Sequence, residues 1–176
     1  MEGLVMKVLA GWVVLLSVAI LTGCSGECED LEANRAVVVR ATEILNSHDY
    51  TDLGEVMADD FRRHCQATPD AVVESLDDFK ALLAMWDGQV PDAKITTEWL
   101  IAEGDLVAIW GTWSGTQVGP IGDLPATGKT VNLDFGGVHR IENGKIAETW
   151  VTWDNVSMLT QLGLFPPPAP EPPPVE

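Results

Sequence analysis

Basic residues are scarce in this chain: ten Lys and Arg stand against 27 Asp and Glu in 176 residues, for a formal charge of -17. Nucleic acids are held by clustered cations that neutralise phosphate. The bases here are scattered singly or in pairs, which excludes DNA and RNA as partners and electrostatic adhesion to anionic lipid. Cysteine and histidine number three each, and no spacing among them suggests a metal site. His64 beside Cys65 is far short of the ligand set a structural zinc requires. The longest apolar run, Val8 to Leu21, falls below the roughly 20 residues with which a helix crosses a bilayer. What is present, 46% hydrophobic and 21% charged residues, is the composition of one globular domain.

The two ends stand apart from that domain. Lys7, the apolar run and Leu21-Thr22-Gly23-Cys24 have the layout of a signal peptide over residues 1–23. Its last four residues resemble the lipobox of bacterial lipoproteins, which implies acylation of the Cys24 thiol, anchoring to a membrane and an extracytoplasmic location. Residues 24–30 are expected to be a tether. Residues 166–176 hold seven of the eleven prolines, and such a stretch, poor in backbone donors and fixed in φ, forms a solvated polyproline II tail. With Cys24 lipidated, Cys28 and Cys65 remain as either a disulfide pair in an oxidising compartment or two separate thiols.

Between these ends, residues 31–165 show two successive periodicities. Ala33, Val37, Ala41, Ile44 and Leu45 form a helical stripe over Leu31 to Ser47. A second, shorter helix is predicted from the Thr51 cap through Asp52 to Ala58. In the third, Ser75 and Asp78 form a capping-box arrangement, and Leu76, Phe79, Leu82, Leu83 and Trp86 share one face before Gly88. After Pro91 the period becomes two. Lys94 to Glu103 and Leu106 to Gln117 flank Gly104-Asp105, and Thr130 to Ile141 and Lys145 to Asp154 flank Asn143-Gly144, so each pair reads as a hairpin. A final amphipathic turn, Val156 to Leu162, ends at Gly163, with Asp154 as its expected N-cap. Helices first and an antiparallel sheet second make the fold α+β. Long twisted strands facing three helices leave an internal pocket, for which Trp86, Trp99, Trp110, Trp113, Trp150 and Trp153 are the available aromatic lining.

Several short motifs carry a family resemblance: Asn46 to His64 with Asp59-Asp60-Phe61, Pro91-Asp92, Ile101 to Ala108, Gly111-Thr112, Pro125 to Lys129, Arg140 to Glu148 and Gln161-Leu162-Gly163. Over residues 33–164 they look like a SnoaL-like polyketide cyclase or ester cyclase domain. The resemblance implies the nuclear-transport-factor-2-like cone, in which three N-terminal helices pack on a curved antiparallel sheet enclosing a pocket. It also implies an intramolecular aldol closure without a cofactor, in which an Asp on the last strand moves the proton beside a carbonyl. In this chain that position is Val151, and the polar pocket positions of the preceding strand are Phe135 and Gly137.

The resemblance therefore makes His64 the candidate acid/base, with Trp86, Trp110, Trp113, Phe135, His139, Val151 and Trp153 as candidate ligand contacts. Glu148 and Asp134 alternate to the other face. Three functions follow as expectations: binding of a small, largely apolar molecule, its conversion in a cyclase- or isomerase-type reaction through His64, or an assembly role in which the sheet face forms a homodimer. Replacing Cys24 with Ser is expected to release the protein from the membrane fraction; continued membrane association of that variant would overturn the lipid-anchor reading.

Overall fold

The computed structural model describes the backbone of residues 23–165 and the side chains of residues 30–165. Residues 1–22 of the segment expected to be a signal peptide, the Pro-rich tail and the side chains of Cys24 and Cys28 lie outside the described residues.

The chain runs α1 (Gly23–Ser47), α2 (Leu53–Val56), β1 (Met57–Cys65), α3 (Leu76–Gln89), β2 (Lys94–Glu103), β3 (Leu106–Thr116), β4 (Thr130–Glu142), β5 (Lys145–Trp153) and α4 (Asn155–Leu162). Both hairpins form where the strand patterns and turn residues place them. Their turns use left-handed backbone at Gly104 (φ 58°) and at Asn143 and Gly144 (φ 52° and 73°), conformations that Gly and Asn adopt at least cost. The caps also form as read. Ser75 accepts from the Asp78 amide while the Asp78 carboxylate accepts from the Glu74 amide. Asp154 accepts from the amides of Val156 and Ser157, and Gly163 closes α4 in the left-handed region.

Two expectations are corrected. The second helix stops after a single turn, and Met57–Cys65 is an extended strand. The sheet has five strands in the order β1-β5-β4-β3-β2 and is mixed, because β1 pairs parallel with β5 while the other three pairings are antiparallel. A four-residue turn buries only Leu53 and Val56, too little to sustain a helix on its own. β5 offers the next residues a complete ladder of backbone partners. The segment 24–30, expected as a tether, is continuous with α1.

Alternation along the strands divides the sheet into an inner face against the helices and an outer face. Phe61, Val107, Ile109, Ile141 and Ile146 pack inward against Val38, Ala41 and Ile44 of α1 and Phe79 and Leu83 of α3. A second cluster of Val131, Leu133 and Leu162, joined by Trp113, Trp153 and Met158, holds α4 on the far end of β4.

Polar side chains pin the layers. The Asn46 amide group bonds both the N–H and the C=O of Ile95, at 2.7 and 2.8 Å, tying the end of α1 to β2. His48 offers one ring nitrogen to Asp87 (2.8 Å) and the other to the Ala93 carbonyl (2.9 Å), and the Tyr50 hydroxyl donates to the same Asp87 oxygen. Both nitrogens face acceptors, an arrangement satisfied in full only by the doubly protonated ring. Gln117, fully buried, donates to the carbonyls of Gly119 and Pro125 and accepts from the amide and hydroxyl of Thr127. It thereby closes the β3–β4 connection with no unpaired polar atom of its own.

Candidate functional site

A cleft of about 880 Å³ opens along β1, its neighbours β5 and β4, and the connection from Gln66 to Glu74. Its walls come from both faces of the sheet edge: Arg63, Cys65, Gly137 and Val151 from the inner side, Arg62, His64 and Trp150 from the outer. The cleft thus wraps around the edge strand. The connection is held to that strand by the Arg63 N–H donating to the Val73 carbonyl at 3.1 Å.

The register assigns each residue. Phe135 pairs with Trp153, Gly137 with Val151, and His139 with Thr149, and all six lie on the inner face. At Gly137 a Cβ would stand 3.2 Å from the Trp150 carbonyl oxygen and 3.3 Å from the Ile109 side chain, so the glycine permits close packing of β4 against its neighbours beside Val151. Trp86 reaches the same region from α3 and is half-buried. Trp113 is also on the inner face but belongs to the α4 cluster, and like Trp86, Phe135, His139 and Trp153 it is absent from the cleft lining.

Two candidates stand elsewhere. Trp110 is on the outer face, 41% exposed, stacked on Trp99 at 6.5 Å. His64 pairs with Trp150 in the β1–β5 ladder and points outward, its ring stacked on the Trp150 ring at 5.3 Å. Its Nε2 meets the Glu148 carboxylate at 2.7 Å, and Arg140 donates to the other oxygen of that carboxylate. Hydrogen bonds from Arg140 and then His64 lower the Glu148 pKa. His64 is therefore part of an exposed charge network on the outer face, opposite to the side from which Val151 and Gly137 contribute, and it lines the cleft from that outer side.

The inner position that the sequence reading passed over is Arg63, one residue away. It is 7% exposed, with its guanidinium carbon 5.1 Å from the Trp86 ring centre and 5.8 Å from that of Trp153. Nη1 donates to the Thr68 hydroxyl at 3.3 Å. Nη2 is buried with no acceptor. Burial lowers the Arg63 pKa, although a guanidinium stays charged throughout the physiological range. The signal was present in the alternation Phe61, Arg63, Cys65, legible only once residues 57–65 are known to be a strand.

His139 is deeply enclosed, its Nδ1 2.8 Å from the Thr149 hydroxyl. Burial pushes its pKa down to about 4, so the ring is neutral at physiological pH. Cys65 is a free thiol, half-buried on the inner side. Among the described residues no three His, Cys, Asp or Glu side chains are grouped to hold a metal.

A family model for the SnoaL-like polyketide cyclases matches residues 35–162. Among curated proteins none matches the chain. Of solved structures, TsrD from Streptomyces laurentii is 26% identical, with a TM-score of 0.67 over 75% of this chain and 96% of its own. Wild-type IdmH from Streptomyces antibioticus is 27% identical, with a TM-score of 0.66 over 74% of this chain and 99% of its own. A SnoaL-like polyketide cyclase from Agrobacterium tumefaciens, 21% identical with a TM-score of 0.63 over 74% of this chain and 98% of its own, shares the fold.

The two enclosed histidines predict opposite pH limbs. His48, raised above 6.5 chiefly by its hydrogen bond to Asp87, contributes stability that is complete below 6.5 and lost as pH rises through its folded value. His139 contributes stability that is complete above 6.5 and lost as pH falls toward about 4. Imidazole NMR titration is expected to show a midpoint above 6.5 for His48 and a neutral ring down to about pH 4 for His139; a titration of His139 near 6.5 would contradict its enclosure.

Proposed function

The chain belongs to the SnoaL-like polyketide cyclase family, and from that premise we propose that it binds a small, largely apolar molecule in the cleft beside β1, without the proton transfer by a last-strand Asp on which the family's cyclisation depends. One observation carries this reading: the inner-face residues of β4 and β5 that line the cleft are Gly137 and Val151, and neither can accept or return a proton. The nearest titratable ring on that face, His139, with a pKa near 4, is too weak a base to serve at neutral pH. What the cleft does supply is apolar surface: Ile109, Val138 and Val151 line it from the sheet, Val72 and Val73 from the connection, and Trp150 is its aromatic side chain.

A second reading, self-assembly, is favoured by the outer face. Trp99 and Ile101 are each 63% exposed there, beside Trp110 and Trp150. An apolar patch of this kind on a sheet face is typical of an association surface, and we propose that it forms a homodimer with the cleft left accessible at the β1 edge.

Flat apolar compounds such as naphthalene or anthraquinone are expected to quench the Trp fluorescence saturably, and Trp150→Phe, at the indole that lines the cleft, to reduce the amplitude; a panel giving no saturable quenching would sink the binding reading. For the dimer, sedimentation should show a concentration-dependent two-copy species that Trp110→Ser shifts to monomer. A wild-type protein that sediments as monomer at every concentration would dispose of it.

A further inference from the structure

Resting on the binding reading above, we propose that the cleft contains an anion subsite at Arg63, so that its ligand carries a carboxylate or a comparable planar, delocalised oxyanion at one end of an otherwise apolar, flat body. Arg63 is a charged side chain enclosed in the interior of an acidic protein, yet no ion pair among the described residues includes it. The other described cations with carboxylate partners, Arg35, Arg40 and Arg140, are more exposed than Arg63. Burying an uncompensated guanidinium is costly. The two indole rings, Trp86 and Trp153, offset part of that cost through their faces. They do nothing for the N–H edges of the guanidinium plane, which require in-plane acceptors. Thr68 supplies one such acceptor, neutral and at 3.3 Å, and Nη2 has none.

The missing partner is thus defined by chemistry. It is an oxygen acceptor approaching in the guanidinium plane, preferably two oxygens on one centre and preferably charged. Arg63 lines the cleft together with Cys65, Thr68 and Val151, so a ligand seated on the floor at Val151 and Gly137 lies beside that edge. Trp150 is the indole of the cleft lining, and its flat face suits a planar ligand body better than a bulky one. Because the whole chain is strongly negative, its long-range field does not attract anions. The preference has to come from the local, desolvated contact and therefore persists at physiological salt, where the long-range field is screened.

The probes are 2-naphthoate and 2-naphthamide, alike in shape and differing in charge, titrated into the protein by Trp fluorescence and calorimetry at physiological salt. The wild type should bind naphthoate at least about tenfold more tightly than naphthamide, the scale of one charge-assisted hydrogen bond in a buried site. Arg63→Met, which keeps the length of the side chain, should weaken naphthoate to the level of the amide and leave the amide unchanged; Arg63→Lys should retain an intermediate preference. Equal wild-type affinities overturn the proposal, as does a preference that survives in Arg63→Met. The wild-type ratio alone decides the matter should Arg63→Met fail to fold. If naphthamide and the neutral panel bind while naphthoate gains nothing, the anion subsite falls and the binding reading stands; if none of these compounds binds, both fall.

Discussion

The seating of one edge strand, β1 against β5, decides which chemistry this fold presents to its interior. Phe61, 1% exposed and packed 5.1 Å from the Phe79 ring, sets the phase. With Phe61 inside, Arg63 and Cys65 follow it inward, and Arg62 and His64 turn outward. In a strand with period two, a slip of one residue would exchange the two sets, turning His64 to the inner face and Arg63 to solvent. The slip is prevented by a buried aromatic residue at one end of the strand and the Arg63–Val73 backbone bond on its free edge. Parallel pairing extends the restraint over Arg62 to Cys65.

From that phase the two faces acquire separate characters. The outer face gathers charge and exposed aromatics: Glu148 accepts from Arg140 and His64, and His64 in turn lies flat on Trp150. The inner face around the cleft is apolar and aromatic, without an acid on its β4 and β5 positions, and it contains one guanidinium between two indoles. Gly137 lets β4 pack closely against Ile109 and the Trp150 backbone beside Val151, which keeps this part of the inner face apolar.

Much of the architecture was legible because it is encoded locally. Asn143-Gly144 and Gly104-Asp105 each specify a turn through a backbone conformation that few residues accept. Ser75 with Asp78, and Asp154 with Gly163, specify helix ends through caps a few residues apart. The hairpins followed from these turns and from strict alternation. The strand at Met57–Cys65 was not legible in the same way. Its inner residues Met57, Phe61, Arg63 and Cys65 include a charged side chain, a register irregularity separates Met57 from Arg62, and the Leu53–Val56 turn before it suggested that a helix continues. The motif resemblance located the family, but it pointed to His64 and passed over Arg63.

The sequence by itself determined the α+β order, the turns and caps, and the family. These depend on residue type and on neighbours a few positions away. Only the tertiary structure decided that a fifth strand pairs parallel at the sheet edge, that His64 belongs to the outer charge network, and that Arg63 is enclosed between Trp86 and Trp153 with a donor unmet. Those outcomes depend on side chains that are 23 and 90 positions from Arg63 in the chain and become neighbours only when the sheet and α3 close around it.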